Sequence, residues 1–174
     1  MKNLPNLITV IRILLVPLFV ILVVYHYELY ALYIFIVAGL SDALDGFIAR
    51  TWNLKTRVGT YLDPIADKLL LVSSFITLAL LMKVPLWIMI IIISRDIILG
   101  ITGLILLNFI DIRSYHIRPS ILGKITTVLQ ILTILLVLLN TKGPLFTTTL
   151  WITAFATVAS GLHYVYRESK IFWA

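Results

Sequence analysis

The sequence predicts an all-α fold, an integral membrane bundle of six transmembrane helices. Three observations predict it. Of the 174 residues, 61% are hydrophobic and only 13% charged, whereas soluble domains carry about 45–50% apolar and about 25% charged residues. Six apolar runs approach the ~20 residues that a crossing needs, near 7–26, 29–50, 61–82, 85–108, 120–139 and 145–165. Lys and Arg are distributed unevenly between the two sets of connecting loops.

The first run carries Pro17 in its middle and is predicted to kink there, which neighbouring helices accommodate in a membrane. No A-x-A-like cleavage site follows it, so it reads as a retained helix rather than a leader. The second run loses apolar character toward its end, where acidic residues begin. Pro64, Pro85, Pro119 and Pro144 stand at the predicted starts of the later spans. The missing N–H of proline is harmless in a first helical turn. Asp63, directly before Pro64, is the predicted N-cap of the third span. Trp52, Trp87, Trp151 and Trp173 fall near span ends, where amphipathic rings anchor to the interface. No repeat, linker or low-complexity tract divides the chain, which predicts a single domain over 1–174.

With six spans both termini share a side with the second and fourth loops. That side holds Lys2, Arg12, Arg50, Lys55, Arg57, Arg113, Arg118, Lys124, Arg167 and Lys170, against Lys83 and Lys142 opposite. The asymmetry places the first side in the cytoplasm. The net charge of +6 is spread over short loops, as topology demands, and points to no nucleic-acid partner. The absence of cysteine excludes disulfides, thiolate metal sites and a cysteine nucleophile.

The functional signal lies between Asp42 and Asp67. The stretch reads D-A-L-D-G-F-I-A-R, eight further residues, then G-T-Y-L-D-P-I-A-D. Four of the chain's eight acidic residues, Asp42, Asp45, Asp63 and Asp67, stand here beside long apolar runs. Ionisable groups in such surroundings are expensive and mark function by default. Spacings of three and four put each pair on one helix face. Converging carboxylates need protons or cations, and hard divalent ions with oxygen ligands suit them; Mg²⁺ in particular shares carboxylates with substrate phosphates. Gly46, Ala49 and Gly59 let a ligand approach the backbone closely, and Arg50 supplies a planar cation for phosphate.

The run D-x-x-D-G-x-x-A-R-x8-G-x-x-x-D-x-x-x-D resembles the signature of the CDP-alcohol phosphotransferases, with every fixed position present: Asp42, Asp45, Gly46, Ala49, Arg50, Gly59, Asp63 and Asp67. The resemblance extends over essentially the whole chain. It implies that Asp42, Asp45 and Asp63, with Asp67 completing the set, bind two Mg²⁺ or Mn²⁺ ions that hold the pyrophosphate of CDP-diacylglycerol. It implies that Asp42, Asp45, Gly46, Ala49, Arg50 and Gly59 contact the nucleotide. Asp67 would be the general base on the acceptor hydroxyl, with CMP as the leaving group. A cell inner membrane, a cytoplasmic active site and a homodimer are further implications.

Within the family, P-N-L-I-T, D-P-I-A-D-K and G-K-I-T-T look most like the glycerol branch. Its acceptors are glycerol 3-phosphate, in phosphatidylglycerophosphate synthases, and phosphatidylglycerol, in the mitochondrial-type cardiolipin synthases. The former typically carry a second Arg two turns after the Arg of span four, where this chain has Gly103. With Ser94-Arg95-Asp96, that favours phosphatidylglycerol. Arg95, Arg113, Arg118, Lys124 and Thr126 are the candidates for acceptor or lipid phosphate. Their bland readings are a buried Arg95–Asp96 pair holding helices together, and a simple cytoplasmic start to span five. Asn6, Thr9 and Arg12 resemble the family's amino-terminal approach or serve as interface anchors. His26, His116 and His163 show no site spacing. Two other classes hold divalent ions with acids. A UbiA-type prenyltransferase would be longer and lacks G-x-x-A-R. A cation transporter places its site at the midplane between repeats.

Overall fold

The computed structural model describes the backbone of residues 4–51, 57–109 and 121–172, and the side chains in those ranges except 4–8, 42–51, 57–65, 67, 103–109 and 168–172. Six helices follow one another: α1 (Leu4–Val24), α2 (Glu28–Thr51), α3 (Arg57–Leu80), α4 (Leu86–Phe109), α5 (Ile121–Leu138) and α6 (Pro144–Phe172). No strand occurs among the described residues. The predicted all-α fold and its six helices are present. Among the described residues, length and composition suffice for crossing a membrane in α5 and in Pro144–Arg167 of α6. The apolar stretches Thr9–Val24, Glu28–Ser41 and Lys68–Leu80 are shorter.

Two boundaries differ most from expectation: α6 runs on to Phe172, seven residues past the expected end, and α3 starts early. α3 begins at Arg57, so Asp63 is not its N-cap and Pro64 lies in the helix interior. Pro64 has no N–H to give the carbonyl of Thr60, yet helices in membrane proteins tolerate such a residue where neighbours make good the loss. α1 likewise continues through Pro17.

The chain divides into two compact units, Met1–Val84 with Val137–Asn140, and Pro85–Leu136 with Thr141–Ala174. In the first, α1 packs on α2 and α3, and α2 touches α3. Phe19 and Phe35 meet with ring centroids 5.8 Å apart, and Val23, Ala31, Leu70, Phe75 and Leu78 are buried. In the second, α4 packs on α6, and Trp87 and Trp151 stack at 5.1 Å. α5 is joined to α6 by hydroxyls: Thr126 Oγ1 donates to the Ala156 carbonyl at 3.1 Å, and Thr133 and Thr153 share a 2.9 Å hydrogen bond.

Large apolar side chains cover the outside of the helices, while polar groups share the interior with the apolar core. Leu14, Ile21, Tyr33, Leu40, Ile90, Ile97, Val128 and Phe155 are exposed. Thr9, Arg12, Ser74, Thr77, Gln130, Thr133, Thr153, Thr157 and Ser160 are buried. Ser74, Thr77 and Thr157 satisfy themselves by donating to carbonyls four residues back, as hydroxyls in helices do when no water is near. Hydroxyl groups in the interior and large apolar side chains on the outside are how membrane helices associate.

Three turns share one construction. His26, Met82 and Asn140 are left-handed, with φ of 62°, 56° and 53°. In each, the amide of the left-handed residue bonds the carbonyl three residues back (Val23, Ala79, Val137), and the next amide bonds the carbonyl five back (Leu22, Leu78, Leu136). This is the Schellman helix stop, in which glycine is the usual left-handed residue. At these turns Glu28 receives hydrogen bonds from Lys83 Nζ and Asn140 Nδ2, so three loops distant in sequence are tied at one end of the first unit. Met82 is 93% exposed, so its side chain contributes little while its backbone is disfavoured. Met82→Gly is expected to stabilise the protein by about 1 kcal/mol, the usual left-handed penalty of an L-residue. Thermal unfolding in detergent checks this; an unchanged or lower Tm would contradict it.

Candidate active site

The acidic residues fall near the end of α2 and near the start of α3. Asp42, Asp45, Gly46, Ala49 and Arg50 lie on the backbone of α2, and Gly59, Asp63 and Asp67 on that of α3; their side chains lie outside the described residues. Five residues, 52–56, join the two helices. Asp45 stands six residues before the end of α2 and Asp63 six after the start of α3. At a rise of about 1.5 Å per residue, both are roughly 9 Å inside their helices. Asp42 and Asp67 follow at about 14–15 Å by the same rise. The earlier start of α3 therefore makes the motif two matched pairs, each about two turns in, rather than a pair flanking a helix cap.

The chemistry of this donor set fits a hard divalent ion. Four carboxylates offer oxygen only, which suits Mg²⁺ and Mn²⁺ and not softer metals. Among the described side chains no other group of three His, Cys, Asp or Glu could hold a metal.

Of the two readings of Thr9 and Arg12, a family-like amino-terminal approach and interface anchoring, burial disfavours the second: Arg12 is 1% exposed and Thr9 0%. Both are interior groups of α1, the helix packed on α2 and α3, and neither is an interface anchor. A single arginine near an amino terminus carries no sequence signal to distinguish these roles.

Arg95 and Asp96 form an ion pair, Nη1 to Oδ1 at 2.7 Å, with side chains 12% and 11% exposed. The pair lies within one helix, so it does not hold helices together. The tie between helices is a different bond, Arg95 Nη2 donating to Ser160 Oγ on α6 at 3.1 Å, a residue that sequence reading passed over. A groove of about 220 Å³ beside Arg95 is lined mainly by Ile91, Ile98, Thr157, Val158, Gly161 and Leu162. Thr126 is fully buried, and its hydroxyl is engaged by the carbonyls of Leu122 and Ala156. Lys124, two residues earlier, is exposed. Arg113 and Arg118 lie outside the described residues.

Comparison with known proteins agrees with the motif. Residues 2–159 match the family model described as CDP-alcohol phosphatidyltransferase. The chain is 35% identical to the CDP-diacylglycerol–glycerol-3-phosphate 3-phosphatidyltransferase of Bacillus subtilis, over 94% of each chain. It is 34% identical to the protein of the same name from Rickettsia typhi, over 94% of this chain and 96% of that one. It is 32% identical to the cardiolipin synthase (CMP-forming) of Rattus norvegicus, over 97% of this chain and 62% of that one. A match of this extent, with all eight fixed positions of the motif in place on α2 and α3, means that the chain belongs to the CDP-alcohol phosphatidyltransferase family and is an enzyme.

Proposed function

We propose that this enzyme makes phospholipid by transferring the phosphatidyl group of CDP-diacylglycerol to a glycerol-type hydroxyl, with phosphatidylglycerol as acceptor and cardiolipin as product. The observation that carries the transfer is the intact double aspartate motif on two neighbouring helices. Asp42, Asp45 and Asp63, with Asp67, would hold two Mg²⁺ or Mn²⁺ ions. When bound, these ions offset the charge of the pyrophosphate and make CMP a better leaving group. Gly46, Ala49 and Gly59 leave room for the cytidine nucleotide against the backbone, and Arg50 binds a phosphate oxygen. Asp67 takes the proton of the acceptor hydroxyl. That oxygen then forms the new bond to the lipid-side phosphorus as the bond to CMP breaks.

Arg95, exposed Lys124, Arg113 and Arg118 bind the acceptor or lipid phosphate. An arginine within the apolar sequence of α4 supports this for Arg95, because intramembrane cations serve substrates more often than packing. Thr126, by its hydrogen bonds, serves the α5–α6 contact instead. Six membrane-spanning helices, both termini and the active site in the cytoplasm, residence in the inner membrane and a homodimer complete the reading. The outward apolar side chains on α1, α2 and α4 as well as α5 and α6 support the spans.

Gly103 and Ser94-Arg95-Asp96 favour phosphatidylglycerol as acceptor. The Bacillus and Rickettsia relatives, named for glycerol 3-phosphate, favour that smaller acceptor as the second reading. Lipid analysis after incubation with CDP-diacylglycerol and each acceptor separates the two. Cardiolipin from phosphatidylglycerol is expected; phosphatidylglycerophosphate as the sole product would move the acceptor to glycerol 3-phosphate.

A further inference from the structure

We infer that Ser160 is a positioning residue for the acceptor: it fixes the direction in which Arg95 presents its guanidinium. The inference rests on the reading of Arg95 as an acceptor-phosphate ligand. An arginine on a single helix is a long, mobile group, and the planar fork recognises phosphate well only when held in place. Here it is held from two helices. Nη1 donates to Asp96 Oδ1 at 2.7 Å and Nη2 to Ser160 Oγ at 3.1 Å. Nε is buried with no hydrogen-bond partner, so those two bonds set the plane of the group.

Asp96 alone cannot do this. It neighbours Arg95 on α4 and shares any movement of that helix, whereas Ser160 belongs to α6 and is 1% exposed. Gly161 completes the arrangement. A Cβ there would stand 3.5 Å from Arg95 Cγ, so the stem of Arg95 lies directly along the α6 backbone. Ser160 and Gly161 thus act as a pair, one fixing the head of Arg95 and the other seating its stem. The remaining N–H of each Nη is left for an incoming anion.

The test measures KM for acceptor, KM for CDP-diacylglycerol, kcat and Tm on the purified full chain in mixed micelles. Phosphatidylglycerol and glycerol 3-phosphate are both used. Ser160→Ala is expected to raise the acceptor KM about tenfold, the worth of one hydrogen bond to a charged group, with the CDP-diacylglycerol KM, kcat and Tm little changed. Ser160→Thr, which keeps the hydroxyl, restores the acceptor KM. Should the alanine variant fail to fold, Ser160→Cys gives the same signature, because a thiol is a weak acceptor of similar size. Arg95→Lys separates the two layers of the reading. If Arg95→Lys raises the acceptor KM and Ser160→Ala does not, positioning by Ser160 is wrong while Arg95 stands. If neither raises it, Arg95 does not bind the acceptor and the inference falls with it. Equal loss in both KM values together with a lower Tm, unrescued by threonine, assigns Ser160 to packing and overturns the proposal.

Discussion

Asp67→Asn is expected to lower kcat by about 10²–10⁴-fold, the range supplied by a positioned general base, while CDP-diacylglycerol still binds. Asn keeps the size and one oxygen of the carboxylate but cannot take a proton from the acceptor hydroxyl. Asp67 also stands deepest of the motif positions on α3 (ten residues after Arg57), beyond Asp63 from the start of the helix. A base belongs at that end if the acceptor's hydroxyl arrives from the membrane side. Equilibrium binding of CDP-diacylglycerol and steady-state turnover, measured on the same preparation, check the split. Near-normal turnover would remove Asp67 from the role of base. Loss of binding in proportion to turnover would make it a metal ligand only.

Asp45→Asn is expected to fail differently. Asp45 is assigned to hold the cation that carries the donor's pyrophosphate, so its loss reaches both binding and turnover. Metal charge stabilisation is worth several kcal/mol in such transfers, which corresponds to a fall of roughly 10³-fold in kcat/KM. Because one ligand of a set is weakened rather than the whole set removed, raised Mg²⁺ or Mn²⁺ should recover part of the activity. A smaller recovery is expected for Asp67→Asn, whose main loss is the base and only secondarily a metal ligand. Titration of each variant with metal measures the contrast, and identical metal response in the two would merge the roles assigned to them.

Much of this molecule could be read before any coordinates. Long apolar runs mark where the six helices lie, because nothing else in the sequence competes with so extended an apolar pattern. The motif was legible for the same reason: four carboxylates beside such runs have no inexpensive alternative. The start of α3 was not. Asp63-Pro64 is the ordinary signature of a helix beginning, but proline removes only its own N–H, and R-V-G-T-Y-L before it continues as helix. The choice between the two readings of Arg12 was not legible either, because position along the chain says nothing of which way a side chain faces. Glu28 with Lys83 and Asn140, and Arg95 with Ser160, join residues far apart in sequence. Such pairs arise from packing, and no periodicity announces them.

We propose that this chain breaks the pyrophosphate of CDP-diacylglycerol at a metal-bearing aspartate site. The most direct measurement is CMP release by the purified protein given CDP-diacylglycerol and phosphatidylglycerol, with Mg²⁺ or Mn²⁺ and then with excess chelator. CMP formed only in the presence of both acceptor and metal, and abolished by the chelator, is the predicted result. CMP release that persists undiminished in chelator, or no release with either glycerol-type acceptor, would contradict the account.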